Sequence, residues 1–229
     1  MKAHRLRVTF TRGEDLKYIT HLDLMRFWER ALRRADVPVA YSEGFSPHAQ
    51  ISLAAPLPVG TTSDGELMDV FLERPMTPAA VIRAVGAQLP PAIEIRSVEE
   101  VGLALPSLQA DVRFAEYDVD VAAAPAEAQT AVERFLAAEQ VPWEHRREAE
   151  TRSYDIRAMV EDITVSEATP STARLKMRLR NDNNGSGRAD QVVAALGLGI
   201  PSRVHRTRLL LAGTSPAREA WRARGRFAT

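Results

Sequence analysis

From Ala173 to Arg180 the chain alternates without a break, with Arg174, Lys176, Arg178 and Arg180 set between Ala173, Leu175, Met177 and Leu179. Successive side chains of a strand point to opposite faces, so this run specifies one charged face and one apolar face. A matching acidic segment lies upstream, where Glu116, Asp118 and Asp120 alternate with Tyr117, Val119 and Val121. Placed side by side, the two strands bring opposite charges together across the ladder, each pair contributing roughly 0.2–1 kcal/mol. The expectation is a sheet in which these strands are neighbours. A segment that reads in isolation as a nucleic-acid contact is then neutralised internally. Arg7 beside Asp69 is expected to repeat the arrangement on a smaller scale.

The elements around these strands follow an order that occurs twice. Leu6, Val8 and Phe10 alternate with Arg5, Arg7 and Thr9 as in a half-buried strand. Thr20 then offers an N-cap with Asp23 three residues on, and the helix to about Ala35 gathers Leu24, Met25, Trp28, Ala31, Leu32 and Ala35 on one stripe before Pro38. Strands at Gln50–Ala54 and Glu66–Leu72, a helix opened by Thr77-Pro78 and a strand at 93–98 complete strand-helix-strand-strand-helix-strand. After a boundary near Leu105 to Gln109 come a strand over 112–121, a helix from Pro125 and extended segments near 141–147 and 156–165. A strand over 172–180, a short helix from Arg188 ending at Gly197 and a strand over 203–211 close the series. The fold class expected is α+β, with two tandem ferredoxin-like (βαββαβ) domains and antiparallel sheets. Their bounds are 1–107 and 108–212, the second with an extra hairpin around Tyr154. Residues 213–229 form a basic, flexible tail, and Asn181 to Gly187 is the other segment expected to be loose.

Composition excludes several function classes. Lysine plus arginine and aspartate plus glutamate both number 30, so no whole-molecule field holds the chain on a polyanion, and any such contact has to be local. Among the cations only Lys2, Lys17 and Lys176 are lysines, leaving a pool of arginine suited to bidentate phosphate and carboxylate contacts. Cysteine is absent, which removes thiolate metal sites, cysteine nucleophiles and any iron–sulfur cluster held by this chain. With no apolar signal core and no long apolar run, a cytoplasmic setting is expected.

Chemically useful side chains are densest in one helix and the loop after it. His21 stands at the helix start, where backbone N–H groups favour anions, and Arg26, Arg30 and Arg33 recur on one side. Tyr41, Ser42, Ser46 and His48 follow in a loop shaped by Gly44 and Pro47, with Phe45 able to stack or to pack. If they converge, they make an anion pocket with His21 and His48 as candidate catalytic acid–base groups. The alternatives are a solvated arginine face with Glu29 pairing to Arg33, and histidines that merely cap or hydrogen-bond. A metal set of His21, Asp23 and His48 matches no template, and none is expected. Asp155 and Arg157 read as a structural ion pair. In the tail Arg218, Arg222, Arg224 and Arg226 interleave with Trp221 and Phe227, a pattern that suits phosphates and exposed bases as well as a frayed terminus.

The run from His21 to Ala35, the segment Pro38 to His48 and Pro56-Leu57-Pro58-Val59-Gly60 resemble the radical-SAM-linked (radical-SAM-associated) bacterial protein family. The similarity continues through Ala104 to Leu108, Asp155-Ile156-Arg157 and Arg206-Thr207-Arg208. In that family the loop more often reads Phe-Asn-Pro-His-Pro where this chain has Ser46 and Ala49. The resemblance implies a domain that works beside a radical SAM protein, in a family whose biochemical role is not established. It places the iron–sulfur cluster and SAM on that partner. The leading expectation is an accessory protein that recognises a substrate, with RNA as the candidate. The rivals are a metal-independent RNA-processing enzyme using His21 and His48, by fold analogy alone, and a structural subunit of the radical SAM partner without RNA binding.

Overall fold

The computed structural model describes residues 2–147 and 150–212. β1 (His4–Arg12) leads through a 3-10 turn to α1 (His21–Arg34), followed by β2 (Ile51–Leu53), β3 (Thr62–Leu72), α2 (Pro78–Gly86) and β4 (Ile95–Glu100). A one-turn helix, α3 (Leu108–Asp111), precedes β5 (Val112–Val121) and α4 (Pro125–Ala137). Next comes a ribbon of β6 (Pro142–Arg147) and β7 (Glu150–Asp155), then β8 (Val160–Thr169), β9 (Thr172–Asp182) and the two-residue β10 (Gly185–Ser186). The described chain ends with α5 (Ala189–Ala195) and β11 (Arg203–Leu211). The tail from Gly213, with its arginines, lies outside the described residues. No helix among them is long and apolar enough to cross a membrane.

The architecture is α+β, built on one sheet of nine strands running β10-β9-β5-β11-β3-β1-β4, with β2 also paired to β3 and β8 to β9. Each half orders its strands alike, β4-β1-β3-β2 in the first and β11-β5-β9-β8 in the second. Pairing is antiparallel except where β11 runs parallel to β3, His205 opposite Thr62 and Arg206 opposite Ser63. The remainder of that edge of β3 is taken by β2, from Met68 to Val70. β11 comes so close to β3 that a Cβ on Gly65 would lie 2.7 Å from the Thr207 carbonyl oxygen and 2.9 Å from the Arg208 Cα. Glycine is required there by space alone.

Helices cover one face of the sheet. In the first half Leu6, Val8, Phe10, Met68 and Val70 bury their side chains against Leu24, Trp28 and Leu32 of α1 and Val81 and Val85 of α2. The Phe10 and Trp28 rings meet edge to face, centroids 4.8 Å apart. In the second half Tyr117, Val119, Leu175 and Met177 pack on Val132 and Phe135 of α4 and Val192 and Val193 of α5.

The opposite face carries the expected charge ladder. Glu116 stands opposite Arg178, Asp118 opposite Lys176 and Asp120 opposite Arg174. Arg174 grips Asp120 at 2.7 and 3.0 Å, and Arg178 donates twice to Glu116. β11 adds a third layer, with Arg208 also on Glu116 and Arg203 3.9 Å from Asp120. Arg7 pairs with Asp69 as expected, at 2.8 Å. Two expectations are corrected. Asn181 to Gly187 is not loose, since β10 pairs back onto the end of β9. Asp155 and Arg157 make no ion pair: the carboxylate accepts the Val141 and Arg157 backbone N–H groups, and the guanidinium donates to the Leu136 and Val160 carbonyls.

Candidate functional site

Among the described residues three arginines are fully buried, and each fixes a piece of non-regular chain. Arg5 donates to Asp69 at 2.9 Å and to the carbonyls of Leu105 and Pro106 at 2.9 and 2.8 Å, pinning the segment after β4 across the open face of the first half. Arg12 donates to the carbonyls of Leu16, Lys17 and Ile19, which shapes the approach to α1. Arg206 donates to both oxygens of Glu66 and to the carbonyls of Ala55 and Pro56, holding the Pro56–Gly60 turn against the seam between the halves. Burial pulls the Arg206 pKa down, but Glu66 and Tyr117 hold it above the ordinary value. On the other face of the seam His205 is bracketed by Thr62 Oγ1 at 2.7 Å and Asp64 at 3.1 Å.

His21 belongs to this seam. It opens α1 just after the Thr20 cap, whose hydroxyl accepts the Asp23 N–H at 3.2 Å. Burial pushes its imidazole pKa down, against the pull of Glu66 and with help from Arg12. His48 lies elsewhere. Its N–H donates to Ser42 Oγ at 2.9 Å while its carbonyl accepts the Ser42 N–H, closing the loop at the far side of α1. β2 begins three residues after His48, and the Phe71 N–H donates to the Gln50 carbonyl, whereas His21 feels the charges of Glu66 and Arg12. Five residues of strand separate those two positions on β3, about 17 Å. The two histidines do not form an acid–base pair, and no cluster able to hold a metal occurs among the described residues.

The three arginine candidates share one side of α1. Arg26, Arg30 and Arg33 are exposed. Arg26 lies 3.8 Å from Asp23, while the Arg30 and Arg33 side chains have no ion pair or hydrogen bond among the described residues. The expected Glu29–Arg33 pair is not formed. Arg34 leaves the group, donating to Gln88 beside α2. Tyr41 is half exposed, Phe45 stands fully free at the loop tip beside Gly44 with φ +119°, and Ser46 is exposed.

At the C-terminal end of α1 two of these residues, Arg33 and Tyr41, border a cleft of about 410 Å³. Leu32, Val37, Val39 and Ala49 supply its apolar lining, and Tyr41, Arg33, Glu29, Asp36 and Arg74 its polar groups. The backbone explains this grouping. The Asp36 N–H bonds the Arg33 carbonyl and the Val37 N–H the Leu32 carbonyl, the paired bonds of a Schellman ending, which brings Val37 back over Leu32. Asp36 takes the left-handed position, φ 52°, that glycine usually fills. That conformation costs an L-residue roughly 1–2 kcal/mol. Asp36 and Arg74 are the two charged cleft residues that the sequence pattern does not single out.

A profile of a bacterial protein family, described as "Uncharacterized protein conserved in bacteria (DUF2344)", matches residues 5–189. The chain belongs to that family. Its matched span takes in α1, the loop, the cleft and β3, and stops before β11. No curated protein matches it. Among solved structures it is similar to a Cbf5-Nop10-Gar1 complex, with 11% identity over 90% of this chain and 48% of that one and a TM-score of 0.48. An H/ACA RNP bound to a substrate RNA containing 2'-deoxyuridine gives 12%, 90%, 47% and 0.44. An archaeal box H/ACA sRNP Nop10-Cbf5 complex gives 13%, 91%, 48% and 0.42. The chain spans about half the length of the chains it matches. What those assemblies bind is a property of those assemblies.

Proposed function

We propose that this chain is an accessory protein that binds single-stranded RNA along the exposed side of α1 and presents it to a radical SAM enzyme. One observation carries the RNA part. Arg30 and Arg33 make no hydrogen bond or ion pair among the described residues; they share one helix side with Arg26, and Arg33 borders the same cleft as exposed Tyr41. The strand cations, in contrast, are matched by carboxylates. Guanidinium groups that track a backbone beside aromatic faces that stack on bases are the two parts of a single-strand binding surface. The radical SAM partner rests on the resemblance of the runs His21 to Ala35 and Pro38 to His48. In this reading the iron–sulfur cluster and SAM sit on that partner, because a chain without cysteine offers no thiolate ligands.

In the same reading the two halves are tandem ferredoxin-like domains, 1–107 and 108–212, which the repeated strand order supports. A gel shift with single-stranded RNA tests the binding surface. Arg30→Ala combined with His48→Ala weakens the shift if the reading is correct; an unchanged shift removes this surface as the RNA site, and no shift with the wild type removes RNA as the ligand. Co-purification with and without nuclease separates an RNA-mediated association with the partner from a purely structural subunit, whose partner binding survives nuclease.

A further inference from the structure

We infer that the cleft at the C-terminal end of α1 is a nucleobase pocket that selects guanine. The inference rests on the single-stranded RNA reading and names what that surface recognises. The cleft, about 410 Å³, is small for a ligand site, in the range that suits one nucleotide and not a folded partner. Its lining is of two kinds. Leu32, Val37 and Val39 give an apolar bed, and Tyr41 borders it with a half-exposed ring, which suits the faces of a base.

Around this bed stand two guanidiniums, Arg33 and Arg74, and two carboxylates, Glu29 and Asp36. None of the four side chains has a hydrogen bond or ion pair among the described residues, although Glu29 and Arg33 are one helical turn apart. Four opposite charges that border one cleft without joining leave their donors and acceptors available to a ligand. Guanidinium forks match phosphate oxygens. A carboxylate accepts hydrogen bonds only, and guanine alone among the RNA bases presents a ring N–H and an amino group side by side, matching both oxygens at once. Adenine and cytosine present only the amino group on that edge, and uracil only the ring N–H. The placement of Asp36 supports the assignment, since a carboxylate occupies the left-handed helix ending where glycine would be unstrained.

Arg33 is shared between the cleft and the stripe of Arg26 and Arg30, so a strand running along α1 would reach the pocket at its C-terminal end. Isothermal titration of the full chain with GMP, AMP, CMP and UMP, one at a time, tests the pocket apart from the helix surface. GMP is expected to bind at least tenfold more tightly than the other three. Asp36→Asn, which keeps a residue at ease in the left-handed region, and Glu29→Gln together remove that preference. Arg74→Ala weakens all four by about tenfold and keeps their order. Equal binding of the four nucleotides, no binding, or a preference untouched by the Asp36 and Glu29 variants overturns the inference. If single-stranded RNA still binds in that case, the pocket fails and the RNA reading stands. If GMP binds as expected and RNA does not, the pocket stands and the RNA reading fails.

Discussion

Replacing Glu66 by glutamine tests whether the seam is held by charge. Glu66 faces Arg206 with both oxygens, 2.8 Å from its Nε, and both side chains are essentially inaccessible to solvent. Arg12, also buried, has its charge opposed by burial and favoured by the same carboxylate. Glutamine keeps the shape and removes a carboxylate charge that favours both interior guanidiniums. Breaking a buried ion pair from one side costs about 3–5 kcal/mol, because the remaining charge keeps its desolvation penalty. In a protein of this size 1 kcal/mol moves the melting temperature by roughly 2–4 °C, so a fall of roughly 6–20 °C is expected. Thermal and urea unfolding followed by circular dichroism read it. Because the penalty comes from the unpaired charge, Arg206→Met combined with Glu66→Gln should lose less than the two single losses added together. A fall below about 2 °C for Glu66→Gln, or strict additivity in the double variant, refutes the reasoning.

Acid should weaken the second half through its charge ladder. Asp120 is held below the usual carboxylate range, chiefly by the hydrogen bond from Arg174, so its contribution is complete above its unfolded pKa of about 3.9 and is lost as pH falls through the lower folded value. Urea midpoints should drop more between pH 6 and pH 3 in the wild type than in Asp120→Asn. Arg5→Leu removes the donor to the Leu105 and Pro106 carbonyls, and limited proteolysis should cut the segment 102–107 several-fold faster while leaving β5 protected. Asp36→Gly relieves the left-handed strain at the end of α1 and should raise stability by about 1 kcal/mol in urea titrations while abolishing any guanine preference.

Much of the sheet was legible because period-2 patterns carry both burial and pairing. Glu116, Asp118 and Asp120 against Arg178, Lys176 and Arg174 gave neighbours and register together, since one alignment satisfies every charge. α1 was equally plain from Thr20 at one end to Pro38 beyond the other. The seam was not. Residues 62–65, Thr-Ser-Asp-Gly, look like a polar turn, yet they are the start of β3, and Thr62, Ser63 and Gly65 are buried where β11 pairs with them. Polar composition misled because the parallel neighbour comes from 143 residues away, a separation that no local pattern records.

The buried arginines were hidden for a related reason. Arg5, Arg12 and Arg206 look like any surface arginine, and residues of that type are seldom fully buried without a partner. Their partners are backbone carbonyls and distant carboxylates, which sequence spacing does not reveal. The same applies to the candidate site. Arg26, Arg30 and Arg33 share a helix side by simple periodicity, whereas Arg74 and Asp36 enter the cleft only through the tertiary fold. His21 opens α1, whereas His48 sits in the loop after it, hydrogen-bonded to Ser42.

The salt dependence of single-stranded RNA binding tests the central claim most directly. Each phosphate neutralised on a single strand contributes about 0.7 to the slope of log affinity against log salt. Changing Arg26, Arg30 and Arg33 together to alanine should therefore flatten that slope by about 2 and weaken binding at low salt, with the circular dichroism spectrum unchanged. An identical slope and affinity in the wild type and the triple variant would contradict the account.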